Sequence, residues 1–296
     1  MNQNNAKPFV KWAGGKSKVL KEIQLYYPFN DTITKYIEPF VGGGAVLFDI
    51  LNQFNLSDVY ICDTNQELMN CYTVIKNNPN DLIKELKVLE EEFIPYPNNI
   101  RTDIYNHIRN EYNIIKAEDK NKEILLASYF IFLNKTCFNG LYRVNKKDEF
   151  NVPIGKYKKP CICDEENILN VSQKLQNVNI ICDDYWSTLK LVDEHTFIYI
   201  DPPYRPITET SNFTNYTKDS FFDKDQISLK KYIDYINATG AKVLASNSDP
   251  TNTNNTDNFF DDLYKNYNIK RIQVGRAINS NGKKRGKISE LLISNF

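Results

Sequence analysis

The Asp-Pro-Pro-Tyr segment at residues 201–204 joins an acid, a rigid backbone and an aromatic ring directly after the apolar run 197–200. Two prolines remove two backbone donors and fix two φ angles, so a strand cannot continue through them. The Asp201 carboxylate and the Pro202 carbonyl could accept the two hydrogens of an amino group, while Tyr204 stacks on the ring that carries it. The segment could equally be a strand followed by a rigid turn, so its context has to decide between the two interpretations.

A glycine loop, Glu-Pro-Phe-Val-Gly-Gly-Gly at residues 38–44, follows another short apolar run. Its glycines allow a sharp turn and let a ligand approach backbone amides at the start of the helical segment that follows. About twenty residues later Asp63 ends the next apolar run, where a carboxylate can accept both hydroxyls of a ribose. The spacing matches neither GxGxxG nor a phosphate loop with its lysine. A nucleoside cofactor without a triphosphate fits this pair, although a structural turn or a dinucleotide site stays open.

The N-terminal segment Lys-Trp-Ala-Gly-Gly-Lys at residues 11–16 adds an aromatic plane, flexible glycines and a terminal cation. Trp12 could be a core residue and Lys16 a surface residue, which is the usual position of such side chains. Near Glu38 and Gly42, the same two side chains could instead flank a sulfonium and bind the carboxylate of an amino acid.

Seven short apolar runs, each ending on a polar or turn-forming residue, are separated by longer segments. Runs of this kind predict an α/β fold with a parallel sheet covered by helices on both faces. Ligands bind beyond the carboxyl ends of such strands, so the polar residues at those ends should meet in one site. The runs cover residues 36–38, 59–63, 179–183, 197–201, 242–247, 269–274 and 290–294, and the polar residues at their ends include Glu38, Asp63, Asp183 or Asp184, Asp201 and Asn247.

The series of strands is interrupted between about residues 64 and 164, where apolar residues recur three and four positions apart. Helices are predicted over residues 81–93, 103–112 and 122–134. We expect a helical insertion at residues 66–163 within a domain made of residues 1–65 and 164–296. The polar stretch 208–217, which follows the proline segment, is a candidate lid.

The composition bounds the class of protein. The chain has 296 residues, of which 41% are apolar, enough for a sizeable core, and no apolar stretch approaches the ~18 residues that could span a membrane. The N-terminus has no apolar signal core. Six cysteines are scattered along the chain, and the one close pair has no second pair or histidine nearby to complete a zinc site. We expect a reduced, cytoplasmic protein with no role for a metal.

The formal net charge is zero, which alone argues weakly against a nucleic-acid partner. Two stretches are nevertheless basic. Residues 142–159 hold six basic and two acidic side chains, and a second cluster consists of Arg276, Lys283, Lys284, Arg285 and Lys287. Charge runs are usually solvated faces. Together with the chemistry above, these two are better interpreted as a surface that contacts phosphates.

The chain resembles the Dam-type adenine-N6 DNA methyltransferases, especially their DpnM-like branch. The resemblance lies in the order of the segments at residues 11–16, 38–44, 63 and 201–204, with the helical insertion before the last. The similarity covers nearly the whole chain and includes Asn-Gly-Leu-Tyr-Arg-Val-Asn at 139–145, Phe-Asn-Val-Pro at 150–153 and Arg-Gly-Lys-Ile-Ser-Glu at 285–290. It implies a seven-stranded, mostly parallel, Rossmann-like methyltransferase sheet. It also implies methyl transfer from S-adenosylmethionine to adenine N6 in duplex DNA, within GATC and after base flipping.

The resemblance assigns roles to matching residues. Asp201, Pro202 and Tyr204 are implied at the target adenine. Residues implied at the cofactor are Trp12, Lys16, Glu38, Phe40, Gly42, Gly43, Gly44, Asp63, Asp183, Asp184, Tyr185 and Asp201. Residues implied at the DNA are Lys11, Phe138, Asn139, Leu141, Arg143, Asn145, Pro153 and Lys156. Phe138 stands where the best-known member has a tyrosine and Lys156 where it has an arginine, which keeps an intercalating ring and a phosphate contact with fewer hydrogen bonds.

Other functions stay open at this point. An amino methyltransferase acting on RNA, cytosine N4 or a glutamine side chain shares the proline segment, but the aspartate at its first position and the insertion argue against it. A catalytically silent DNA-binding protein would have lost its pocket residues, whereas all of them are present. The expected partner is double-stranded DNA, and we expect a monomer that could be paired in function with a restriction endonuclease.

Overall fold

Short runs rich in β-branched and aromatic residues form one seven-stranded sheet in the computed structural model, which describes residues 5–118, 121–205, 221–275 and 287–296. The strands are β1 (Lys35–Glu38), β2 (Asp58–Asp63), β3 (Val178–Cys182), β4 (Thr196–Ile200), β5 (Lys242–Ser248), β6 (Asn268–Gly275) and β7 (Lys287–Ser294). They lie in the order β3-β2-β1-β4-β5-β7-β6. Strand β7 is antiparallel to β5 and β6, and the other neighbours are parallel. The predicted mostly parallel, Rossmann-like sheet is therefore confirmed.

Strand β4 is central in the sheet, and all five of its residues are buried. Successive side chains of a strand point to opposite faces. Phe197 and Tyr199 accordingly pack into one hydrophobic cluster, while Ile198 and Ile200 pack into another on the opposite face. This double burial explains why the run before Asp201 is continuously apolar and does not alternate.

The described helices are α1 (Leu20–Gln24), α2 (Ala45–Gln53), α3 (Gln66–Asn77), α4 (Pro79–Phe93), α5 (Asn98–Glu118), α6 (Glu123–Thr136), α7 (Glu165–Leu175), α8 (Asp223–Ala238) and α9 (Phe259–Leu263). Local sequence sets several of their starts. The Asn65 side chain accepts a hydrogen bond from the Leu68 amide and so begins α3. Pro79 stands in the first turn of α4, where its missing N–H costs nothing.

The helices α4, α5 and α6 lie at the three helical segments predicted from the spacing of apolar residues, and α5 is longer than its prediction. Helix α3 packs against α6 and also against β3 and α7, so it connects the helical layer to the sheet. The domain boundaries at residues 65/66 and 163/164 stay predictions.

Three of the residues expected at strand ends meet at one edge of the sheet. Glu38 ends β1 and pairs with Ile61 of the neighbouring β2, which ends two residues later at Asp63. Asp201 directly follows β4. The candidate lid at 208–217 and the basic residues Arg276 to Arg285 lie outside the described residues. Within the described part of the chain, no helix has the length and apolar character needed to cross a membrane.

Candidate active site

The Asp201 carboxylate is held by contacts from two segments. Ser246 of β5 donates its hydroxyl to Oδ1 at 2.9 Å, and the Ser246 hydroxyl is also within 3.0 Å of the Tyr199 hydroxyl. The Lys16 ammonium lies 2.7 Å from the same Oδ1. Because these contacts come from β5 and the N-terminal segment, the carboxylate direction is not fixed by the proline turn alone.

Lys16 is buried and directed into the proline segment. Its Nζ donates to the Gly14 carbonyl and to the Tyr204 hydroxyl, each at 2.9 Å, in addition to the ion pair with Asp201. The ammonium also lies 4.9 Å from the centre of the Tyr204 ring. The sequence predicted Lys16 at the cofactor; this structure places it against Asp201 and Tyr204, and its role at the cofactor stays a prediction.

Tyr204 is set between acidic groups. Burial raises the pKa of its phenol above the usual value, and the Asp201 and Glu290 carboxylates raise it further, so the ring stays neutral. Burial also raises the pKa of Glu290, an effect that the Lys16 ammonium opposes. One Glu290 oxygen is buried and has no hydrogen-bond partner among the described residues. The preceding Pro203 carbonyl accepts from the Gln226 side chain at 3.4 Å, while Pro202 is buried.

Glu38 is a fully buried carboxyl at the end of β1. Burial raises its pKa well above the usual range, the hydrogen bond from the Tyr36 hydroxyl at 2.8 Å opposes this, and the nearby Asp201 carboxylate raises the pKa further. Burial thus favours the neutral carboxyl, and a cation placed beside it would favour the ionised form. The role of Glu38 near the charged end of the cofactor stays a prediction.

The glycine loop is packed against Trp12. Gly42 has φ of 48°, and a Cβ at this position would lie 2.7 Å from Cδ1 of the Trp12 ring, so neither the backbone nor the space admits a larger residue. The Tyr72 hydroxyl donates to the Gly42 carbonyl at 3.0 Å. Trp12 is stacked at 5.8 Å on Tyr142, which ties the loop to the insertion. Gly43 packs against the same indole, and Gly44 precedes α2.

Asp63 is oriented by backbone amides. The Gly42 amide donates to Oδ2 at 3.1 Å and the Asn65 amide donates to Oδ1 at 2.9 Å. Burial raises the pKa of Asp63, and these hydrogen bonds oppose the shift. Each carboxylate oxygen has two lone pairs, so acceptor capacity is left for the hydroxyls of a ribose. The residues present therefore fit a nucleoside cofactor at this edge of the sheet.

The remaining residues predicted at the cofactor lie just after β1 and β3. Phe40 and Tyr185 pack at 5.1 Å between ring centres. Asp184 caps the 3₁₀ helix Tyr185–Leu191 by accepting from the Trp186 amide at 3.0 Å. Asp183 is exposed and accepts from the Asp184 amide at 2.8 Å. Because the two rings contact each other, a purine could pack only beside them.

The first DNA-binding candidates surround the turn after α6. The Phe138 side chain is 51% exposed, and the neighbouring Asn139 is also exposed, with φ of 57°. Leu141 is half-buried against the core. Lys11 crosses this turn: a Cβ on Gly140 would lie 2.4 Å from Cδ of Lys11, and its Nζ is 4.1 Å from the centre of the Tyr157 ring. The absence of a side chain at Gly140 therefore gives Lys11 its path to the surface.

The other DNA-binding candidates lie along residues 143–156. Arg143 donates from Nε to the Asn151 side-chain oxygen at 2.6 Å and from Nη2 to the Asn151 carbonyl at 3.1 Å. The Asn145 side chain accepts from the Lys147 and Glu149 amides, so it shapes a turn. The Pro153 carbonyl accepts from the Phe138 amide at 2.8 Å, and Lys156 is exposed. The predicted roles of these residues at DNA stay predictions.

The sequence analysis missed several residues that surround Asp201. Tyr199 lies two positions before Asp201, and the two-residue period of a strand could have placed both on one face. Ser246 and Glu290 come from strands far along the chain, and their approach to the site depends on the sheet order. Among the described residues, no group of three or more histidine, cysteine or acidic side chains could hold a metal ion.

Comparisons with known proteins place this geometry in a family. Residues 12–278 match the model of the D12 class N6 adenine-specific DNA methyltransferases. Type II methyltransferase M.MjaIII of Methanocaldococcus jannaschii is 48% identical, and the match covers 98% of this chain and 99% of that protein. Type II methyltransferase M1.LlaDCHI of Lactococcus lactis subsp. cremoris is 36% identical, and the match covers 100% of this chain and 97% of that protein. The DNA adenine methylase of Escherichia coli K12 is 32% identical over 99% and 95%. The chain therefore belongs to the D12 class of N6-adenine-specific DNA methyltransferases.

Proposed function

We propose that this enzyme transfers the methyl group of S-adenosylmethionine to adenine N6 within GATC in duplex DNA, and that it flips the adenine out of the helix to do so. The observation that carries the proposal is the position of Asp201 and Tyr204. They stand at the carboxyl edge of β4, next to the glycine loop on one side and joined to the Trp12 segment by Lys16. An amine acceptor, an aromatic ring and a nucleoside pocket thus share one edge of the sheet.

We assign the cofactor to the pocket between the glycine loop and the end of β3. When bound, S-adenosylmethionine supplies a methyl group on a sulfonium, which is a good leaving group. Asp63 would accept the ribose hydroxyls, and the Phe40 and Tyr185 rings would contact the purine. Glu38 would face the cationic end, with Trp12 beside it. Gly42, Gly43 and Gly44 allow close approach of the ligand, and Asp183, Asp184 and Lys16 border the pocket.

We assign the target adenine to the proline segment. The Asp201 carboxylate and the Pro202 carbonyl would accept the two amine hydrogens, which directs the nitrogen lone pair away from them and toward the methyl donor. Tyr204 would stack on the purine as a neutral phenol. Because the leaving group is already activated, alignment contributes more than a strong base does, and alignment can supply several kcal/mol of the barrier. The amine proton can leave after the transfer.

We assign base flipping and base recognition to the insertion, residues 66–163. Removing an adenine from the duplex costs a few kcal/mol of stacking and pairing, and the exposed Phe138 ring could fill the space that it leaves. Arg143 could donate two hydrogen bonds to guanine in the major groove. Lys11, Asn139, Leu141, Asn145, Pro153 and Lys156 complete the proposed DNA surface.

Two further parts of the proposal concern partners. The relatives in M. jannaschii and L. lactis are named Type II methyltransferases, which supports a functional pairing of this enzyme with a restriction endonuclease. We further propose that the enzyme acts as a monomer, since the site described above is built from one chain.

The test is transfer of labelled methyl groups to two duplexes that differ in one base pair, one with GATC and one with GTTC at its centre. The proposal expects label in the GATC duplex alone, and N6-methyladenine as the labelled nucleoside after digestion. Equal labelling of both duplexes would reject the GATC assignment, and N4-methylcytosine as the product would reject the adenine target. A duplex containing 2-aminopurine at the target position should gain fluorescence on binding if the base is flipped.

A further inference from the structure

Arg205, the residue after Tyr204, holds two carboxylates from two other segments. Its Nε and Nη2 donate to the two oxygens of Asp223 at 2.6 and 3.1 Å, and its Nη1 donates to Asp257 Oδ2 at 2.7 Å. The guanidinium centre also lies 4.3 Å from the Phe259 ring centre. None of these four residues is assigned to the cofactor or to the adenine amine.

The geometry of this cluster is more restrictive than that of an ordinary surface ion pair. Isolated exposed pairs contribute little to stability because both side chains stay free to move. The Arg205 side chain is only 21% exposed, and a planar guanidinium that binds one carboxylate through two hydrogen bonds fixes direction as well as distance. Contact with a ring on its face and with a second carboxylate leaves the guanidinium very little freedom.

The cluster connects the catalytic segment to the wall of the cofactor pocket. Asp223 is the first residue of α8, and Phe221, two residues before it, packs edge-on against Phe40 at 6.3 Å. Phe40 in turn packs against Tyr185 at 5.1 Å. Arg205, next to Tyr204, thus binds the first residue of α8. Phe221, just before that residue, contacts the aromatic residues proposed to lie at the cofactor purine.

A second contact from the same helix supports the proline segment. Gln226, three residues after Asp223, donates to the Pro203 carbonyl at 3.4 Å, and its Oε1 accepts from Asn247 at 3.1 Å. Gln226 is fully buried. The first turn of α8 therefore contacts the catalytic segment on both sides of Tyr204, through Pro203 before it and Arg205 after it.

We propose that Arg205 is a positioning residue for methyl transfer: its bonds to Asp223 and Asp257 fix the backbone after Tyr204, so that the Tyr204 ring and the Asp201 carboxylate keep their alignment with the cofactor pocket. This inference rests on the proposed function. Loss of Arg205 reduces the rate of transfer in the bound complex. It changes DNA affinity little, because the guanidinium is already occupied by two carboxylates.

The test compares Arg205→Ala with Arg271→Ala. Arg271 on β6 offers a matched control, since it also binds two carboxylates, Asp249 through Nε at 3.0 Å and Asp261 through Nη1 and Nη2 at 3.1 and 2.7 Å. Each variant is assayed in single turnover with saturating cofactor and GATC duplex, alongside its melting temperature and its KM for DNA. Arg205→Ala should slow transfer about 30- to 100-fold with KM nearly unchanged, since small misplacement of reacting groups has costs of this order.

Arg271→Ala should lose a similar amount of thermal stability while its transfer rate stays within about threefold of the wild type, because the ion pairs of Arg271 go to Asp249 and Asp261 and not to the proline segment. Equal rates for Arg205→Ala and Arg271→Ala would overturn the positioning role. Should Arg205→Ala not fold, Arg205→Lys and Arg271→Lys form the same comparison: lysine keeps the charge but cannot hold both Asp223 oxygens, so only the position-205 variant should be slow. If the wild-type enzyme methylates no adenine, the proposed function itself is rejected. This result differs from equal rates of the two variants, so failure of the function and failure of the positioning role are distinguishable.

Discussion

The Lys16 ammonium lies 2.7 Å from Oδ1 of Asp201 and donates to the Tyr204 hydroxyl at 2.9 Å. A cation of this chain thus contacts the carboxylate that we assign to the adenine amine. Lys16 compensates the charge of this half-buried carboxylate, and an amine that binds Oδ1 would compete with the Lys16 ammonium and the Ser246 hydroxyl. The relationship links the N-terminal segment to the catalytic one through a single side chain.

Lys16→Met should destabilise the protein by about 1 to 3 kcal/mol, because removal of the buried ammonium leaves the half-buried Asp201 carboxylate without its counter-charge. Urea unfolding followed by circular dichroism measures the loss. The double variant Lys16→Met/Asp201→Asn provides the control, since it removes both charges. The double variant should recover most of the stability that Lys16→Met loses. If its loss instead equals the sum of the losses of the two single variants, the ion pair contributes nothing to stability.

Glu38→Gln should stabilise the cofactor-free protein at high pH and leave it unchanged at low pH. The folded-state pKa of Glu38 is raised by burial above its unfolded value. The folded state therefore binds this proton more tightly, a contribution that is complete below the unfolded pKa and is lost as pH rises through the folded pKa. Glutamine avoids that loss and keeps an acceptor for the Tyr36 hydroxyl.

The measurement for Glu38 is the difference in unfolding free energy between variant and wild type at about pH 5 and about pH 9, with a gain expected only at the higher value. Glu194→Gln, at a side chain that is 73% exposed, should show no such dependence. A Glu38→Gln effect of the same size at both pH values would mean that Glu38 is ionised throughout.

Arg143→Ala should reduce sequence discrimination more than it reduces overall DNA affinity. One bidentate contact to guanine contributes roughly 1 to 3 kcal/mol of discrimination, which corresponds to about a 5- to 150-fold change in kcat/KM between GATC and a duplex with one altered base pair. Lys147→Ala removes an exposed charge from the same turn and should weaken binding to both duplexes alike. Parallel losses on both duplexes in Arg143→Ala would show that Arg143 contacts only phosphate.

Much of the fold could be predicted because its strands are short, apolar and buried on both faces. The run 197–200 is the clearest case, since its continuous burial in β4 leaves no polar position before Asp201. Helix α3 was harder to predict as a separate element, because one side of it packs on α6 and another on β3 and α7. Its buried residues Leu68, Cys71, Tyr72 and Ile75 recur three and four positions apart, and Met69 and Val74 widen this face.

The acids of the candidate site could be predicted because they stand at the ends of strands. Glu38, Asp63 and Asp201 were found in this way, since parallel strands bring their carboxyl ends to one edge. The partner of Lys16 could not be found, because its contact with Tyr204 joins residues 188 positions apart. The same holds for Arg205 and Asp257, whose meeting depends on where the loop before α9 lies and not on any local pattern.

The central claim is that the Asp201 carboxylate aligns the adenine amine for methyl transfer, and single-turnover methylation of a GATC duplex by Asp201→Ala tests it most directly. Calorimetric titration with S-adenosylhomocysteine and DNA binding measured by fluorescence anisotropy establish that the variant still forms its complexes. We predict that cofactor and DNA binding are at least partly retained while the transfer rate falls by about 10³-fold or more, the order expected for loss of a group that acts in the transition state. Methyl transfer by Asp201→Ala at the wild-type rate would contradict the account.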